Sequence, residues 1–287
     1  MPTKIEKDGL TGRDTTGHEW DGLKELNTPL PKWWLWTFYA TIVFAAAWVV
    51  IYPSLPGWRG TSGWIAREAI VAEVAEANAR NAPMMARLRE ASPAQIAADP
   101  EMRAFAEAGG RVAFANNCAA CHGAGGQGAA GGYPTLADDD WLWGGSLDAI
   151  QQTIRHGIRN TEDEEARTSI MPRFGVDGML TAAQIGDVAE HVLSFSGRAT
   201  DEAAAARGAT VFAEQCASCH GERGEGNREF GAPRLSDQIW LNRGSKAQIM
   251  AMINNPHMGV MPAWQGRLDA AVINMLTVYV HSLGGGE

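Results

Sequence analysis

The sequence is poor in cysteine, in basic residues and in long apolar runs. Only four of its 287 residues are cysteine, and all four lie in two C-x-x-C strings. The 24 Lys and Arg residues face 33 Asp and Glu, so the net charge of −9 offers no basic stripe for phosphates and excludes nucleic-acid binding. We interpret the acidity as favouring solubility, and more weakly a cationic protein partner. The mean hydropathy is −0.19, and one apolar run is long enough to cross a membrane.

Each C-x-x-C string continues with histidine and glycine, which gives C-x-x-C-H, the attachment signature of a c-type haem. Two thiols at this spacing reach the vinyl groups on one porphyrin edge, and the adjacent imidazole ligates the iron. A zinc site or a disulfide pair is the alternative, while a thioredoxin-like motif would need a βαβ context that is absent here. We therefore predict two covalently bound haem c groups, held by Cys118, Cys121 and His122 and by Cys216, Cys219 and His220.

The apolar run covers residues 33–52 and contains no charge. A helix of this length, at about 1.5 Å per residue, covers about 30 Å, the thickness of a bilayer's hydrocarbon core. Aromatic residues cluster at both ends, as at two membrane interfaces, and prolines precede and follow the run. A cleaved signal peptide is the alternative, but 32 residues of mixed charge precede this run. We predict an uncleaved transmembrane anchor.

The segments beside the anchor differ in composition. Residues 1–32 are polar with little periodicity, so we expect a mobile or partner-bound tail. Residues 62–89 are rich in Ala, Glu and Arg, which predicts an amphipathic helix that Pro83 interrupts or ends. Ser92-Pro93 and Asp99-Pro100 each have the pattern of a helix cap followed by a first-turn proline.

The rest of the chain is an internal repeat. The two copies are offset by 98 residues at the cysteines, by 99 at the aligned tryptophans and by 90 at the Met-Pro pairs. The first copy therefore holds about nine additional residues, 160–168, which we expect to form a solvated acidic loop rather than a docking site. Each copy ends in an apolar helix, near residues 182–196 and 270–283. The matched positions are Gly110 and Gly208, Phe114 and Phe212, Pro134 and Pro233, Leu136 and Leu235, Trp141 and Trp240, and Met171 and Met261.

The Met-Pro pairs predict the second axial ligands of the irons. A thioether opposite an imidazole is typical of cytochromes c, and the proline stiffens the loop that presents the sulfur. We predict Met171 and Met261 as ligands, with simple core packing as the alternative. Met258 is the nearest rival, and His156 and His257 would give bis-histidine sites but do not align with each other. Whether each methionine serves its own repeat's haem or the other's stays open.

The order of helix, C-x-x-C-H, loop, short helix, Met-Pro and terminal helix resembles the class I cytochrome c fold. That resemblance implies that the first and last helices of each copy cross, with a glycine against an aromatic residue. Gly110 and Gly208 suit the first role and Tyr279 the second, while His191 takes the aromatic position in the first copy, where we expect packing rather than ligation. We predict an all-α chain with one N-terminal transmembrane helix and two tandem class I cytochrome c domains. Trp141, Trp143 and Trp240 either contact haem or pack in the core.

Residues 16–22 (TGHEWDG), 24–27 (KELN) and 29–36 (PLPKWWLW) resemble the start of the dihaem subunit of cbb3-type cytochrome c oxidases, the CcoP or FixP family. With the membrane run and both repeats, the resemblance covers nearly the whole chain. It implies a non-catalytic subunit that relays single electrons in aerobic respiration. The donor would be a cytochrome c or the bc1 complex, and the acceptors a monohaem cytochrome c subunit and a catalytic, proton-pumping subunit with haem b and copper.

These observations predict the domain boundaries: a cytoplasmic tail at 1–32, the transmembrane helix at 33–52, a helical spacer at 53–104 and cytochrome c domains at 105–198 and 203–287. The flanking charges are nearly balanced, so orientation comes from the family-level inference that covalent haem is attached outside the bacterial inner membrane. The haem domains are therefore expected in the periplasm. The alternative functions are a dihaem subunit of another respiratory complex, a dihaem peroxidase and a haem-based sensor.

Overall fold

The computed structural model describes residues 4–129 and 131–287, and the chain forms two compact units that meet in sequence between Arg80 and Asn81. The N-terminal unit contains an antiparallel hairpin of β1 (Thr15–Trp20) and β2 (Leu23–Leu26). Its turn, Asp21-Gly22, has φ values of +52° and +83°, as a tight hairpin turn that follows strand twist requires. The hairpin is a departure from the predicted all-α chain, and residues 1–3 of the predicted tail lie outside the described residues.

Helix α1 (Lys32–Ile51) matches the predicted anchor to within one residue. None of its residues is buried within the protein, and the helix is long and apolar enough to cross a membrane. The carbonyls of its last four residues all accept hydrogen bonds, from the backbone of Tyr52, Thr61 and Ser62 and from the indole of Trp58. Satisfied carbonyls matter here because unpaired backbone groups are costly near hydrocarbon.

Helix α2 (Ala66–Glu90) runs through Pro83, so the expectation that this proline interrupts or ends the spacer helix is wrong. The residues around Pro83 include alanine, arginine and methionine, which are strong helix formers and carry the helix across the missing hydrogen bond. The two predicted caps are confirmed. Ser92 forms a capping box at the start of α3 (Pro93–Ala98), and Asp99 accepts two backbone hydrogen bonds at the start of α4 (Pro100–Asn117).

The second unit is helical throughout its regular structure. Each haem-binding string forms a single helical turn, and each terminal helix falls within the predicted range. The remaining helices are α4 (Pro100–Asn117), α5 (Ala119–His122), α6 (Leu147–His156), α7 (Ala182–Ser194), α8 (Glu202–Gln215), α9 (Ala217–His220), α10 (Lys246–Asn254) and α11 (Ala270–His281).

The predicted glycine crossings form between the repeats and not within them. Helix α4 packs on α11, and α7 packs on α8. A Cβ atom at Gly110 would collide with the Met275 carbonyl and Tyr279, and one at Gly208 with the Asp187 carbonyl. The expectation of crossings within each copy is therefore wrong. The two copies present equivalent surfaces, and the short connection between α7 and α8 favours packing of these neighbours in sequence.

Two hydrophobic cores result from this exchange. The first core joins α4 and α6 of the first repeat to α11 of the second, through buried residues that include Phe114, Ile154 and Leu276. The second core joins α7 to α8 and α10, and its buried residues all fall between Phe174 and Ile253. The second core is thus formed by one continuous stretch of chain. In the sequence, this stretch lies between the two segments that form the first core.

Polar side chains fix the connections around these cores. Glu190 of α7 is fully buried and accepts hydrogen bonds from the backbone and hydroxyl of Thr200 and from Lys246, at 2.6–2.8 Å. These partners lower the pKa of Glu190 to about 2, with Lys246 the largest cause. Asn274 of α11 is buried and donates to the carbonyls of Leu88 and Ala91, which holds the end of α2 against α11.

Candidate haem-binding sites

Both C-x-x-C-H strings have the same local geometry. Helix α4 ends at Cys118, and helix α8 ends at Cys216. The helical turns α5 and α9 follow and carry the second cysteine and the histidine of each string. Gly123 and Gly221 then leave the turn with φ near +79°, a conformation that side chains rarely adopt. The thiols of each string therefore lie on one short turn beside a helix end.

Each string histidine is oriented by a backbone carbonyl. The Nδ1 atom of His122 lies 3.1 Å from the Pro134 carbonyl oxygen, and that of His220 lies 3.0 Å from the Pro233 carbonyl oxygen. Burial lowers the pKa of both imidazoles, and the carbonyls oppose this shift. A neutral imidazole that donates from Nδ1 has its Nε2 lone pair free for a metal, the arrangement expected of a ligating histidine.

The first cysteine of each string is at least partly shielded from solvent, whereas the second is exposed. Burial, with a smaller contribution from the second cysteine of each string, raises the pKa of Cys118 and of Cys216 to about 11. Zinc binds the thiolate, which this environment disfavours. Within residues 4–129 and 131–287, no group of three or more His, Cys, Asp or Glu side chains is placed to hold a metal ion.

Each predicted methionine packs against the core that holds the haem-binding string of the other repeat. Met261, of the second repeat, packs against the first core, on which Cys118 also packs. Met171, of the first repeat, packs against the second core, which contains Cys216. Both methionines are partly buried. The structure therefore brings each Met-Pro loop together with the haem-binding string of the other repeat.

The rival ligands have other surroundings. His156 is buried, with Nδ1 3.1 Å from the Asp163 carboxylate and Nε2 3.2 Å from that of Glu165, so both ring nitrogens are engaged. His257 is exposed. The Met258 sulfur lies 3.4 Å from the Met171 backbone nitrogen, which donates to it.

His191 packs against aromatic rings, as predicted. Its ring lies 4.8 Å from that of Phe195 and 5.2 Å from that of Phe212. Because Phe212 belongs to the second repeat, this contact follows the exchanged pairing of helices. Tyr279 lies 5.5 Å from Phe114 in the equivalent position of the first core.

The predicted tryptophans differ in their partners. The Trp141 indole donates to the Gly285 carbonyl, whereas the Trp240 indole N–H is buried without a partner in the described chain. A buried donor without an acceptor is unusual, and the carboxylate edge of a haem would satisfy it. Trp143 packs closely against Gly231. A Cβ atom at Gly231 would collide with the Trp143 ring. A cavity of about 430 Å³ lies between the loops that follow the two strings.

Arg159 and its neighbours form contacts at the proposed sites that no short sequence motif indicates. Ile158 exchanges two backbone hydrogen bonds of 3.0 Å with Met261, and the Arg159 side chain reaches both Met-Pro loops. Asp163 and Glu165, expected only to be solvated, anchor the acidic insertion to His156. The contacts of Ile158 and Arg159 with the Met261 loop depend on the exchange between repeats, whereas those of Asp163 and Glu165 lie within the first repeat.

Comparison with known proteins gives three family matches along the chain. Residues 12–59 match the N-terminal domain of cytochrome oxidase-cbb3, FixP, residues 106–196 match cytochrome c, and residues 203–280 match cytochrome c oxidase, cbb3-type, subunit III. The FixP subunit of Azorhizobium caulinodans is 51% identical over 285 residues, which cover 98% of this chain and 96% of that protein. The chain belongs to the CcoP/FixP family of cbb3-type cytochrome c oxidase subunits.

Other CcoP proteins are similar over nearly their whole length. The CcoP subunit of Azospirillum brasilense is 50% identical, with 98% of this chain and 99% of that protein covered. That of Cereibacter sphaeroides is 48% identical, with 95% of each covered. As a CcoP/FixP protein, the chain is an electron-transfer subunit whose two cytochrome c domains carry two covalently bound haem c groups. Its N-terminal apolar helix fits a membrane anchor.

Proposed function

We propose that the two irons have exchanged methionine ligands. The haem attached through Cys118 and Cys121 takes His122 and Met261, and the haem attached through Cys216 and Cys219 takes His220 and Met171. The observation that carries this proposal is the packing of Cys118 and Met261 on the first core and of Cys216 and Met171 on the second. The backbone pairing of Ile158 with Met261 supports it, because it fixes the second repeat's ligand loop to the first repeat.

The residues of each site keep the iron closed to other ligands. When bound, each haem iron carries one electron, and histidine with methionine raises its potential. The Pro134 and Pro233 carbonyls hold the imidazoles by their Nδ1 atoms, and Met261 and Met171 would supply the second ligands. The contact of Trp143 with Gly231 brings the loops of the two sites together, which favours transfer of an electron from one site to the other.

The chain acts within an oxidase complex in the bacterial inner membrane. We infer that a cytochrome c or the cytochrome bc1 complex supplies electrons, and that a monohaem cytochrome c subunit and a catalytic subunit with haem b and copper receive them. The haem domains, at 105–198 and 203–287, face the periplasm, and the tail at 1–32 faces the cytoplasm. The relatives' designation as cbb3-type oxidase subunits supports this assignment of partners.

Purification of the full chain from membranes in mild detergent tests this role. We expect copper and haem b to co-purify with it. We also expect the isolated chain, once reduced, to bind no stoichiometric carbon monoxide and to consume neither oxygen nor peroxide. Sustained peroxide or oxygen turnover by the isolated chain would contradict a relay and favour the peroxidase alternative. Co-purification with a quinol- or alcohol-oxidising enzyme instead would favour another respiratory complex.

A further inference from the structure

The two loops that carry the proposed methionine ligands are bridged by one arginine. The Nε atom of Arg159 donates to the Gly259 carbonyl at 2.8 Å, and its Nη1 atom donates to the Ser169 carbonyl at 3.4 Å. Gly259 lies two residues before Met261, and Ser169 lies two residues before Met171. A single guanidinium therefore contacts the equivalent position in both ligand loops.

The backbone around Arg159 is held in a specific conformation. Arg159 has a φ of +52°, a left-handed conformation that is unfavourable for a residue with a side chain. Its amide donates to the Arg167 carbonyl at 2.7 Å, and the preceding residue, Ile158, pairs with Met261. Such strained conformations persist only where the surroundings impose them. Here the hydrogen bonds of Ile158 and of the Arg159 amide hold the backbone so that the guanidinium reaches the two loops.

Arg159 is not part of an ordinary surface ion pair. Its residue is partly buried, and no carboxylate in the described chain lies within ion-pair distance of it. Burial lowers the pKa of its guanidinium, which nevertheless stays protonated in proteins. The guanidinium N–H groups donate to backbone carbonyls instead. Their planar arrangement suits two acceptors in fixed positions.

We propose that Arg159 is a positioning residue that holds both methionine sulfurs in place on their irons. This proposal rests on the exchanged ligation proposed above. A charged donor strengthens each hydrogen bond to a loop carbonyl, so the loops are restrained together. The hydrogen bond from the Met171 amide to the Met258 sulfur, at 3.4 Å, is a second and weaker connection between the same loops.

Three substitutions in the full dihaem chain test this role. We expect Arg159→Ala to increase the rate of carbon monoxide binding to both reduced haems about tenfold, because the loss of hydrogen bonds from a charged donor raises the methionine-dissociated population. Both potentials should fall, and the NMR signals of iron-bound methionine methyl groups should weaken. Arg159→Gly removes the side chain and relieves the backbone, so it should match Arg159→Ala. Arg159→Lys keeps the positive charge but lacks the planar set of donors. Its carbon monoxide binding rate and its potentials should lie between those of wild type and Arg159→Ala.

The control is Arg173→Ala, which removes an exposed guanidinium near Met171 that is paired with Asp177 at 2.7 Å. It should leave both potentials unchanged. Wild-type behaviour of Arg159→Gly, or a change at only one haem, would overturn the bridging role. If Met171→Ala and Met261→Ala also leave the spectra unchanged, the proposed ligation itself fails. If those two variants alter the spectra and the Arg159 variants do not, only the role of Arg159 fails.

Discussion

Met261 and Ile158 exchange two backbone hydrogen bonds of 3.0 Å, although they belong to different repeats. This pairing fixes the loop of one proposed iron ligand to the other half of the molecule. Gly157, with φ +75°, lies beside the same segment, where a Cβ atom would collide with the Met261 carbonyl. The position of the Met261 loop is therefore set by residues of the first repeat.

Gly157→Ala should displace the Met261 loop. We expect a loss of about 2–5 kcal/mol in stability, since a left-handed conformation costs about 1–2 kcal/mol for a residue with a side chain and overpacking adds about 1–3 kcal/mol. The potential of the haem attached at Cys118 should fall more than that of the other haem. Redox titration with each haem resolved, together with heat unfolding, checks both effects.

The matched control for this substitution is Gly178→Ala. Gly178 has a similar φ, +70°, but open space where its Cβ atom would lie. Gly178→Ala should lower the stability only by the cost of the left-handed backbone, about 1–2 kcal/mol, and should leave both haem potentials unchanged. Equal effects of the two substitutions on the potentials would argue against a specific restraint of Met261 by Gly157.

Glu190→Gln should weaken the connection between α7 and α8. Glu190 titrates near 2 in the folded protein, below the value of about 4.3 expected for the unfolded chain. Its contribution is therefore present above about pH 4.3 and is lost as the pH falls towards 2. The substitution should cost about 1.5–3 kcal/mol at neutral pH, since hydrogen bonds to a charged group are lost, and little near pH 2.

Denaturant unfolding between pH 2 and pH 7 checks this sign. The difference in unfolding free energy between wild type and Glu190→Gln should shrink as the pH falls. Asp177→Asn is a suitable comparison, because the ion pair of Asp177 with Arg173 is exposed on both sides and is expected to contribute little. A constant difference across the pH range would mean that the charge of Glu190 contributes nothing to stability.

Asn274→Leu should release the end of the spacer helix from α11. The substitution leaves the carbonyls of Leu88 and Ala91 without their buried donor, at an expected cost of about 1–3 kcal/mol. Hydrogen exchange of residues 84–98 should quicken. Arg89→Ala, which removes an exposed ion pair with Asp269, should change exchange far less. Similar exchange in both variants would contradict a role for Asn274 in docking the spacer.

Local patterns in the sequence were sufficient for much of the fold. The run at 33–52 predicted α1, and the caps at Ser92 and Asp99 predicted the starts of two helices, because these signals depend on neighbouring residues. The hairpin at the N-terminus was missed, although Asp21-Gly22 is a strong hairpin turn signal. Strand pairing there was overlooked because the segment lacks an apolar alternation.

The exchange of helices could not be predicted from local patterns. Gly110 and Gly208 were correctly expected at close crossings, but their partners, Tyr279 and Asp187, lie in the other repeat. Because the two repeats are similar, α4 could pack on the terminal helix of either repeat, and so could α8. Only the three-dimensional structure distinguishes these two arrangements of helices. The same ambiguity leaves the methionine pairing open, since Met171 and Met261 are both followed by proline and occupy matching positions in the two repeats.

The most direct test of this account is the methionine dependence of each haem in chains that bind only one. Cys216→Ser with Cys219→Ser leaves the first haem, and Cys118→Ser with Cys121→Ser leaves the second. In the chain with the first haem, Met261→Ala should lower the potential by on the order of 100 mV while Met171→Ala leaves it unchanged. In the chain with the second haem, the two substitutions should exchange their effects. The opposite pattern, in which each methionine affects the haem of its own repeat, would contradict the exchanged ligation.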